Sequence, residues 1–239
     1  MSLLVPPRRF DPAVREIMDR PGNEEKLLRA DLRVLEDVNR FLGGYRIPLL
    51  YLRKLSSSFR STKPLTILDL ATGAADVPRA IATWARSKRI DVAITAVDGN
   101  PEILRIAREN TTDWPEICIE QQNLLSLPYS AASFDIVLCS LALHHFSEVD
   151  AVAILRSINH IARGSWIIND LRRNRFAIGL SKLMAHTIIT NPIARFDAPA
   201  SCERAFTVPE WHLMATRAGM NHFMIRRHRF FRMALSGHK

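Results

Sequence analysis

Short apolar runs alternate with longer amphipathic stretches along most of the chain. The short runs end in polar residues, whereas the amphipathic stretches repeat their apolar positions every three or four residues. Strands that alternate with helices in this way are typical of an α/β fold with a mostly parallel sheet. The predicted strands in the central part of the chain are Ile67–Leu68, Val92–Val97, Ile136–Cys139 and Ser165–Ile168.

The first amphipathic stretch predicts a helix near the N-terminus. Asn23 is expected to cap this helix, and Gly43-Gly44 is expected to end it. A shorter amphipathic run, Pro48–Leu55, follows, and a linker is expected to begin at Ser56. We therefore divide the chain into an N-terminal helical segment, residues 1–62, and a second unit, residues 63–239. The apolar positions of the first helix are Leu28, Leu32, Leu35, Val38 and Leu42.

The part of the chain after Glu148 predicts two further helices, an insertion and a hairpin. The run Val149–Ala162 is amphipathic, and Gly164 is expected to end its helix. Residues 171–206 read as an inserted helical cap. Thr207-Val208-Pro209-Glu210 has the pattern of a capping box that starts a helix. The elements expected in these regions are a cap helix over Phe176–Ile189, breaks at Asn191-Pro192 and Ala198-Pro199, a helix end near Gly219, and an antiparallel edge hairpin over Phe223–Arg226 and Phe230–Leu235.

The stretch Ile67–Asp76, I-L-D-L-A-T-G-A-A-D, predicts a ligand-binding turn between a strand and a helix. Small residues let the backbone approach a ligand closely. The amides at the start of the following helix then face whatever the turn holds. This pattern indicates a site for a nucleotide-type cofactor.

Two interpretations compete for this turn. A dinucleotide fingerprint would place Ala71, Gly73 and Asp76 at its three small positions, but a carboxylate beside a pyrophosphate is repulsive. The alternative is an acid followed by alternating small residues, Asp69, Ala71, Gly73 and Ala75. That pattern resembles motif I of class I S-adenosylmethionine (SAM) dependent methyltransferases, whose cofactor is cationic. The sequence departs from that family at Ala71 and Ala75, where glycine is usual.

Three later motifs follow in the order that this family has. Asp98-Gly99 ends a strand about 20 to 25 residues after the glycine turn, where an acid can accept the ribose hydroxyls. Gln122-Asn123-Leu124 stands where the family often has an acid, and Asn123 would accept the bond of the adenine amino group. Ser133–Phe146, S-F-D-I-V-L-C-S-L-A-L-H-H-F, is similar to the small-molecule branch.

The resemblance implies a doubly wound, Rossmann-like sheet of seven strands, mostly parallel with an antiparallel final strand. It also implies that the N-terminal helices and the cap insertion build the acceptor pocket. The branch with this pattern contains quinone C-methyltransferases and polyketide or phenol O-methyltransferases. The residues that match its cofactor site are Asp69, Ala71, Thr72, Gly73, Asp76, Asp98, Gly99, Asn123, Leu124 and Ser140.

Candidate catalytic residues follow from the topology of an open parallel sheet. Such sheets bind ligands beyond the carboxyl ends of their strands. His144, His145 and Asp170 fall at that edge, and a histidine there could accept a proton from a phenol or an activated carbon. At the end of the fourth strand, Cys139-Ser140-Leu141-Ala142 replaces the [D/N]-P-P-[Y/F/W] of enzymes that methylate amines of DNA bases or glutamine amides.

Charge is distributed unevenly along the chain. The net charges of residues 1–63, 64–163 and 164–239 are +5, −4 and +8. Basic flanks around an acidic centre favour an anionic partner. The expected acceptor is a small molecule that could be anionic. Nucleic acid is not the expected partner, because the amine-methylating motif is replaced and no RNA-binding module is evident. The arginines expected to bind it are Arg172, Arg173, Arg175 and Arg195.

Composition narrows the setting. No apolar run approaches the roughly 20 residues of a membrane span, and the first residues have no apolar signal region. Three widely spaced cysteines indicate neither a metal site nor a disulfide framework, so a reducing cytoplasm is expected. Two alternatives to a methyltransferase stay open, namely a non-catalytic SAM-fold binding protein and a nicotinamide oxidoreductase. The residues do not choose between oxygen and carbon as the methyl acceptor or indicate an oligomeric state.

Overall fold

A computed structural model describes residues 5–55 and 63–239. It contains a seven-stranded sheet in the order β3-β2-β1-β4-β5-β7-β6. Strands β1 to β5 run parallel, and β7 is antiparallel to both of its neighbours, β5 and β6. The strands are β1 Leu65–Leu70, β2 Val92–Asp98, β3 Ile117–Gln121, β4 Phe134–Ser140, β5 Ala162–Leu171, β6 Phe223–Arg227 and β7 Arg232–His238.

Eight helices are described around this sheet. They are α1 Glu25–Phe41, α2 Arg46–Leu55, α3 Asp76–Lys88, α4 Pro101–Asn110, α5 Glu148–Ile161, α6 Arg175–Thr187, α7 Pro192–Arg204 and α8 Val208–Arg217. Two short 3-10 turns, Ile17–Asp19 and Leu143–His145, lie at the candidate site. The predicted fold class, a doubly wound and mostly parallel sheet, is confirmed.

The alternation of side chains along β1 separates two cores. Leu68 packs with the face covered by α5 and α8, and Ile67 packs with the face covered by α2 and α3. Side chains one residue apart in a strand point to opposite faces, so a central strand needs apolar residues on both. Because Leu52 of α2 is fully buried in the second core, this N-terminal helix shares its packing with the sheet.

Several boundaries differ from the sequence prediction at the termini of helices. Asn23 does not cap α1 with its side chain. Instead, its amide nitrogen donates to the carbonyls of Ile17 and Arg20, and the helix begins one residue later, after Glu24. The capping box of Thr207 and Glu210 is present as predicted. The linker expected to begin at Ser56 lies outside the described residues, so the division at residue 62 stays a prediction.

Three expectations about breaks and strands were wrong. Gly164 does not end a helix, because β5 begins directly at Ala162 and Gly164 lies inside it. A Cβ at Gly164 would stand 3.0 Å from the carbonyl oxygen of Asp135, so close approach explains this glycine. Pro199 lies inside α7 rather than breaking it. The last strand begins at Arg232, since Phe230 and Phe231 adopt left-handed backbone conformations.

Membrane spans are absent from the described part of the chain. Within residues 5–55 and 63–239, no helix combines the length and the apolar composition that crossing a bilayer requires.

Candidate functional site

A cavity of about 1490 Å³ lies at the carboxyl edge of the parallel strands. The turns after β1, β2 and β3 line one part of it, and the turn after β4 lines another. Residues that precede α1, together with residues of α1, α6 and α7, line the side of the cavity opposite these turns. This volume exceeds that of a pocket for a single drug-sized ligand, so it has room for a cofactor and an acceptor together.

The turn after β1 presents its backbone to the cavity. Ala71, Gly73 and Ala75 all have positive φ, at 54°, 56° and 58°. A Cβ built on Gly73 meets no atom within 4 Å, so the space above this residue is open. The two alanines occupy a conformation that glycine adopts without strain. The sequence departs from the family pattern at these two residues, yet they keep the glycine-like backbone.

Asp98, at the end of β2, is held against this turn. Its carboxylate accepts bonds from the backbone N–H of Gly73 at 3.1 Å and of Asn100 at 3.0 Å. A carboxylate offers about four acceptor positions, so at least one remains for a ligand beside the backbone bonds from Gly73, Asn100 and Gly99. Burial raises the pKa of Asp98 above its ordinary value, and burial raises the pKa of Asp69 to about 7. Within the described residues, neither carboxylate forms an ion pair.

The other residues predicted to bind the cofactor also line the cavity. The side chains of Asp76 and Asn123 each already bond to another part of the protein. The Asp76 carboxylate accepts a bond from Asn39 of α1 at 2.9 Å, which ties α1 to the cofactor turn. The side-chain oxygen of Asn123, expected to bind an adenine amino group, accepts from the N–H of Leu125 at 3.0 Å. The structure therefore brings together Asp69, Ala71, Thr72, Gly73, Asp76, Asp98, Gly99, Asn123, Leu124 and Ser140.

His144 is buried beside the end of β5, where Asp170 fixes its ring. The Nδ1 atom of His144 lies 2.6 Å from Oδ1 of Asp170, and the His144 backbone N–H donates to Oδ2 of the same carboxylate at 3.1 Å. Burial alone would raise the pKa of Asp170, but the contacts with His144 lower it below its ordinary value. Both carboxylate oxygens of Asp170 therefore contact His144, and the lowered pKa makes Asp170 a weaker base than an ordinary carboxylate.

His145 contacts acids from a distant part of the chain. Its Nδ1 atom lies 2.8 Å from Oδ2 of Asp19, and its Nε2 atom lies 4.0 Å from Oε2 of Glu16. The rings of His144 and His145 are 4.3 Å apart. Burial lowers the pKa of His145, but Glu16 and Asp19 outweigh that effect and raise it to about 9. His145 is thus expected to carry a proton at neutral pH.

One of the four arginines proposed to bind substrate, Arg172, lines the cavity. Arg173 is buried elsewhere, where it pairs with Glu210 at 2.7 Å and donates to the carbonyls of Ala205 and Pro6. Arg175 and Arg195 are exposed, and Nε of Arg195 donates to the carbonyl of Ala185. Arg172 and Arg204 are thus the arginines of the cap that line the cavity, whereas Arg173 and Arg195 donate to protein carbonyls and Glu210 outside it. Carboxylates in fact outnumber arginines along its lining.

Sequence reasoning missed the part of the site that precedes α1. Glu16 accepts from Ser201 and pairs with Arg204 of α7 at 3.3 Å. Arg8 donates to the carbonyls of His144 and Phe146. More than 120 residues separate these partners along the chain, and no local motif marks either side. Only spatial proximity in the folded protein reveals them.

Comparison with known proteins agrees with this geometry. Residues 67–164 match a family model described as a methyltransferase domain. No curated protein matches the chain. The SAM-dependent methyltransferase of Aquifex aeolicus superposes with a TM-score of 0.59 at 16% identity, over 96% of this chain and 99% of that chain. Magnesium protoporphyrin IX methyltransferase of Synechocystis PCC 6803, solved with bound SAH, gives 0.59 at 15% identity, over 93% and 91%.

A third similar structure is the CMeT domain of the citrinin polyketide synthase. It superposes with a TM-score of 0.61 at 16% identity, over 78% of this chain and 50% of that chain. This chain thus spans about half the length of that protein. At such identities the structural likeness shows the fold.

The family match, the fold and the cavity together define the class. Residues 67–164 belong to a methyltransferase domain of the SAM-dependent class, and S-adenosylmethionine is its cofactor. The resemblance inferred from the motifs is confirmed, and the nicotinamide alternative has no support. The residues also fit this cofactor, since the open space at Gly73 admits a ligand and the unpaired carboxylates of Asp69 and Asp98 suit a cationic, ribose-bearing molecule.

Proposed function

We propose that this protein transfers a methyl group from SAM to oxygen or carbon of a small aromatic, quinone or polyketide-type acceptor. The observation that carries the proposal is that His144, whose ring contacts Asp170 at 2.6 Å, lines the same cavity as the Gly73 turn and Asp98. A proton acceptor and a cofactor turn that share one cavity are what methylation of a hydroxyl or an acidic carbon requires.

Bound SAM would supply an electrophilic methyl group, and the chain's own residues would do the rest. Asp98 would hold the ribose hydroxyls, and the Gly73 backbone would let the cofactor approach. Asp170 would keep the proton of His144 on Nδ1, which leaves Nε2 free to accept a proton from the acceptor. His145 is the poorer base, because its pKa of about 9 keeps it protonated at neutral pH.

The cavity favours a neutral acceptor over an anionic one. Arg172 is the one arginine of the predicted set that lines the cavity, and its pKa is lowered by burial. The carboxylates of Glu16, Asp19 and Asp31 also line the cavity. An anion entering here would meet more negative than positive charge, whereas a phenol or β-dicarbonyl that loses its proton to His144 enters uncharged.

The test is turnover with a panel of phenols, quinols and β-ketoacyl compounds, followed by mass spectrometry for the added methyl group. His144→Ala should lower kcat by about 100-fold, the usual contribution of a general base. The dissociation constant for SAM should stay unchanged. Asp170→Asn should lower kcat as well, because the amide no longer fixes the tautomer of His144. His186→Ala is the matched control, since His186 is exposed on α6.

Two results would contradict this proposal. If His144→Ala keeps the parent kcat, proximity alone carries the reaction and His144 is not the base. If the protein binds SAM in calorimetry but methylates no member of the panel, the alternative of a non-catalytic SAM-binding protein gains support.

A further inference from the structure

Three side chains at the acceptor end of the cavity could supply donor atoms to one metal ion. Glu16, His144 and His145 each offer one ligand atom, and these atoms lie within 4.8 Å of one another. Metal–donor distances of about 2.1 Å place donors roughly 3 to 4 Å apart around one ion. The 4.0 Å between Nε2 of His145 and Oε2 of Glu16 already falls in this range. A small contraction of the remaining distances would complete the set.

The two histidines are oriented as metal-binding histidines usually are. Nδ1 of His144 contacts Asp170, and Nδ1 of His145 contacts Asp19. A ligating imidazole almost always donates its other ring N–H to a carboxylate or a carbonyl, which fixes the tautomer and makes the free nitrogen a better ligand. Here both rings have a carboxylate at Nδ1, so both would present Nε2.

The third ligand is also held in place. Glu16 is buried, and its carboxylate accepts bonds from Ser201 and pairs with Arg204. With His145 neutral, as a metal ligand must be, the carboxylates of Glu16, Asp19 and Asp170 outnumber the guanidinium groups of Arg204 and Arg8 by one. A divalent cation would offset the excess negative charge.

We propose that Glu16, His144 and His145 form a binding site for a divalent first-row transition metal ion. Two imidazoles and one carboxylate suit Zn²⁺, Fe²⁺, Co²⁺ or Ni²⁺ and leave coordination positions open. All three residues line the cavity, so these positions would face the acceptor space. The ion and the acceptor proton would use the same nitrogen of His144, so the ion-bound form does not accept a proton there.

The experiment is titration of the full chain, without a polyhistidine tag and stripped by a chelator, with Zn²⁺ and Co²⁺ at pH 8. Neutral imidazole binds metals, so alkaline pH favours binding. Calorimetry should give one ion per chain with a dissociation constant of about 1 μM or below. Bound Co²⁺ should show visible absorption that reports nitrogen and oxygen ligands. His145→Ala and Glu16→Gln should each weaken binding by at least tenfold, while His186→Ala should leave it unchanged.

The proposal fails if the parent chain binds neither ion at 100-fold higher concentrations, or if both His145→Ala and Glu16→Gln bind as tightly as the parent. Circular dichroism of each variant checks that it is folded. SAM binding by the stripped protein is measured in parallel. If the parent chain binds SAM but no metal ion, the result contradicts the proposed metal site and leaves the proposed function standing. If the parent chain does not bind SAM, the result contradicts the proposed function.

Discussion

Carboxylates at two strand ends of the same sheet have opposite surroundings. At the end of β1, Asp69 is buried, has no cationic partner among residues 5–55 and 63–239, and has its pKa raised by burial to about 7. At the end of β5, Asp170 is equally buried, but His144 lowers its pKa below the ordinary value. The carboxylate at the end of β1 therefore lacks a positive charge that a ligand could supply, whereas the carboxylate at the end of β5 is already satisfied by His144. Under the proposed function, the first lies at the cofactor end of the cavity and the second at the acceptor end.

Asp69→Asn provides the largest test of this contrast. The pKa of Asp69 is about 7 in the folded chain, against an ordinary value of 3.8 for an exposed aspartate. Ionisation of Asp69 therefore lowers the free energy of unfolding progressively as pH rises from 4 to 7. Above pH 7 this loss of stability has reached its full size. A shift of this size corresponds to at most about 4 kcal/mol. Without SAM, the asparagine variant should be more stable than the parent at pH 8, by up to that amount.

Urea unfolding at pH 8 and at pH 4 measures this effect. At pH 4 the two proteins should have nearly equal stability, because Asp69 is protonated in the folded parent. Asp91→Asn is the control, since Asp91 is exposed between α3 and β2. A parent and an Asp69→Asn variant of equal stability at both pH values would show that burial does not raise this pKa.

Asp170→Asn should change the free energy of unfolding in the opposite direction, so that this variant is less stable than the parent. The lowered pKa of Asp170 means that its ionised form stabilises the folded chain above the pKa of the unfolded state. That contribution is lost as pH falls through the folded pKa. Replacing the carboxylate weakens charge-assisted bonds to His144 and should cost roughly 2 to 3 kcal/mol at pH 7. Urea unfolding at pH 7 checks it, and a stabilised Asp170→Asn variant would remove the contrast between the two strand ends.

Asp98→Ala should weaken SAM binding without affecting the acceptor end. Removing the acceptor of the ribose hydroxyls should cost about 1 to 3 kcal/mol of binding free energy. Calorimetric titration with SAM measures it. Asp113→Ala is the matched control, because Asp113 is an exposed acid outside the cavity lining. An unchanged dissociation constant in a folded Asp98→Ala variant would contradict the ribose assignment.

Ala75→Gly should give the smallest effect, a gain in stability. Ala75 has a φ of 58°, which costs an L-residue roughly 1 kcal/mol relative to glycine. The net gain should be at most about 0.5 kcal/mol, since glycine loses about 0.5 to 1 kcal/mol more in entropy on folding. Thermal unfolding measures it, and Ala82→Gly in the middle of α3 should instead destabilise the chain. A loss of stability in Ala75→Gly would show that the turn holds alanine without strain.

The grouping of the candidate cofactor residues at one edge of the sheet could be predicted, because its information is local. Asp69, Gly73 and Asp98 each follow a predicted strand, and parallel strands bring their carboxyl ends to one edge. The contacts of Glu16, Asp19 and Arg204 could not be predicted, because these residues become neighbours only when segments far apart in sequence fold together. The arginines of the cap illustrate the same limit. The net charge of a sequence segment does not reveal that Arg173 forms an ion pair with Glu210 and is not available to a ligand.

The ion pair between Glu16 and Arg204 also sets an order in time. The two residues are 188 positions apart, whereas Gly73 and Asp98 are 25 apart. Contacts of such high sequence separation form late, because the loop that they close must be ordered first. At synthesis rates of about 5 to 20 residues per second, Arg204 is synthesised on the order of ten seconds or longer after Glu16. During that interval β1 and β2 can already pair, so the cofactor turn is expected to form on the growing chain before the acceptor end of the cavity closes.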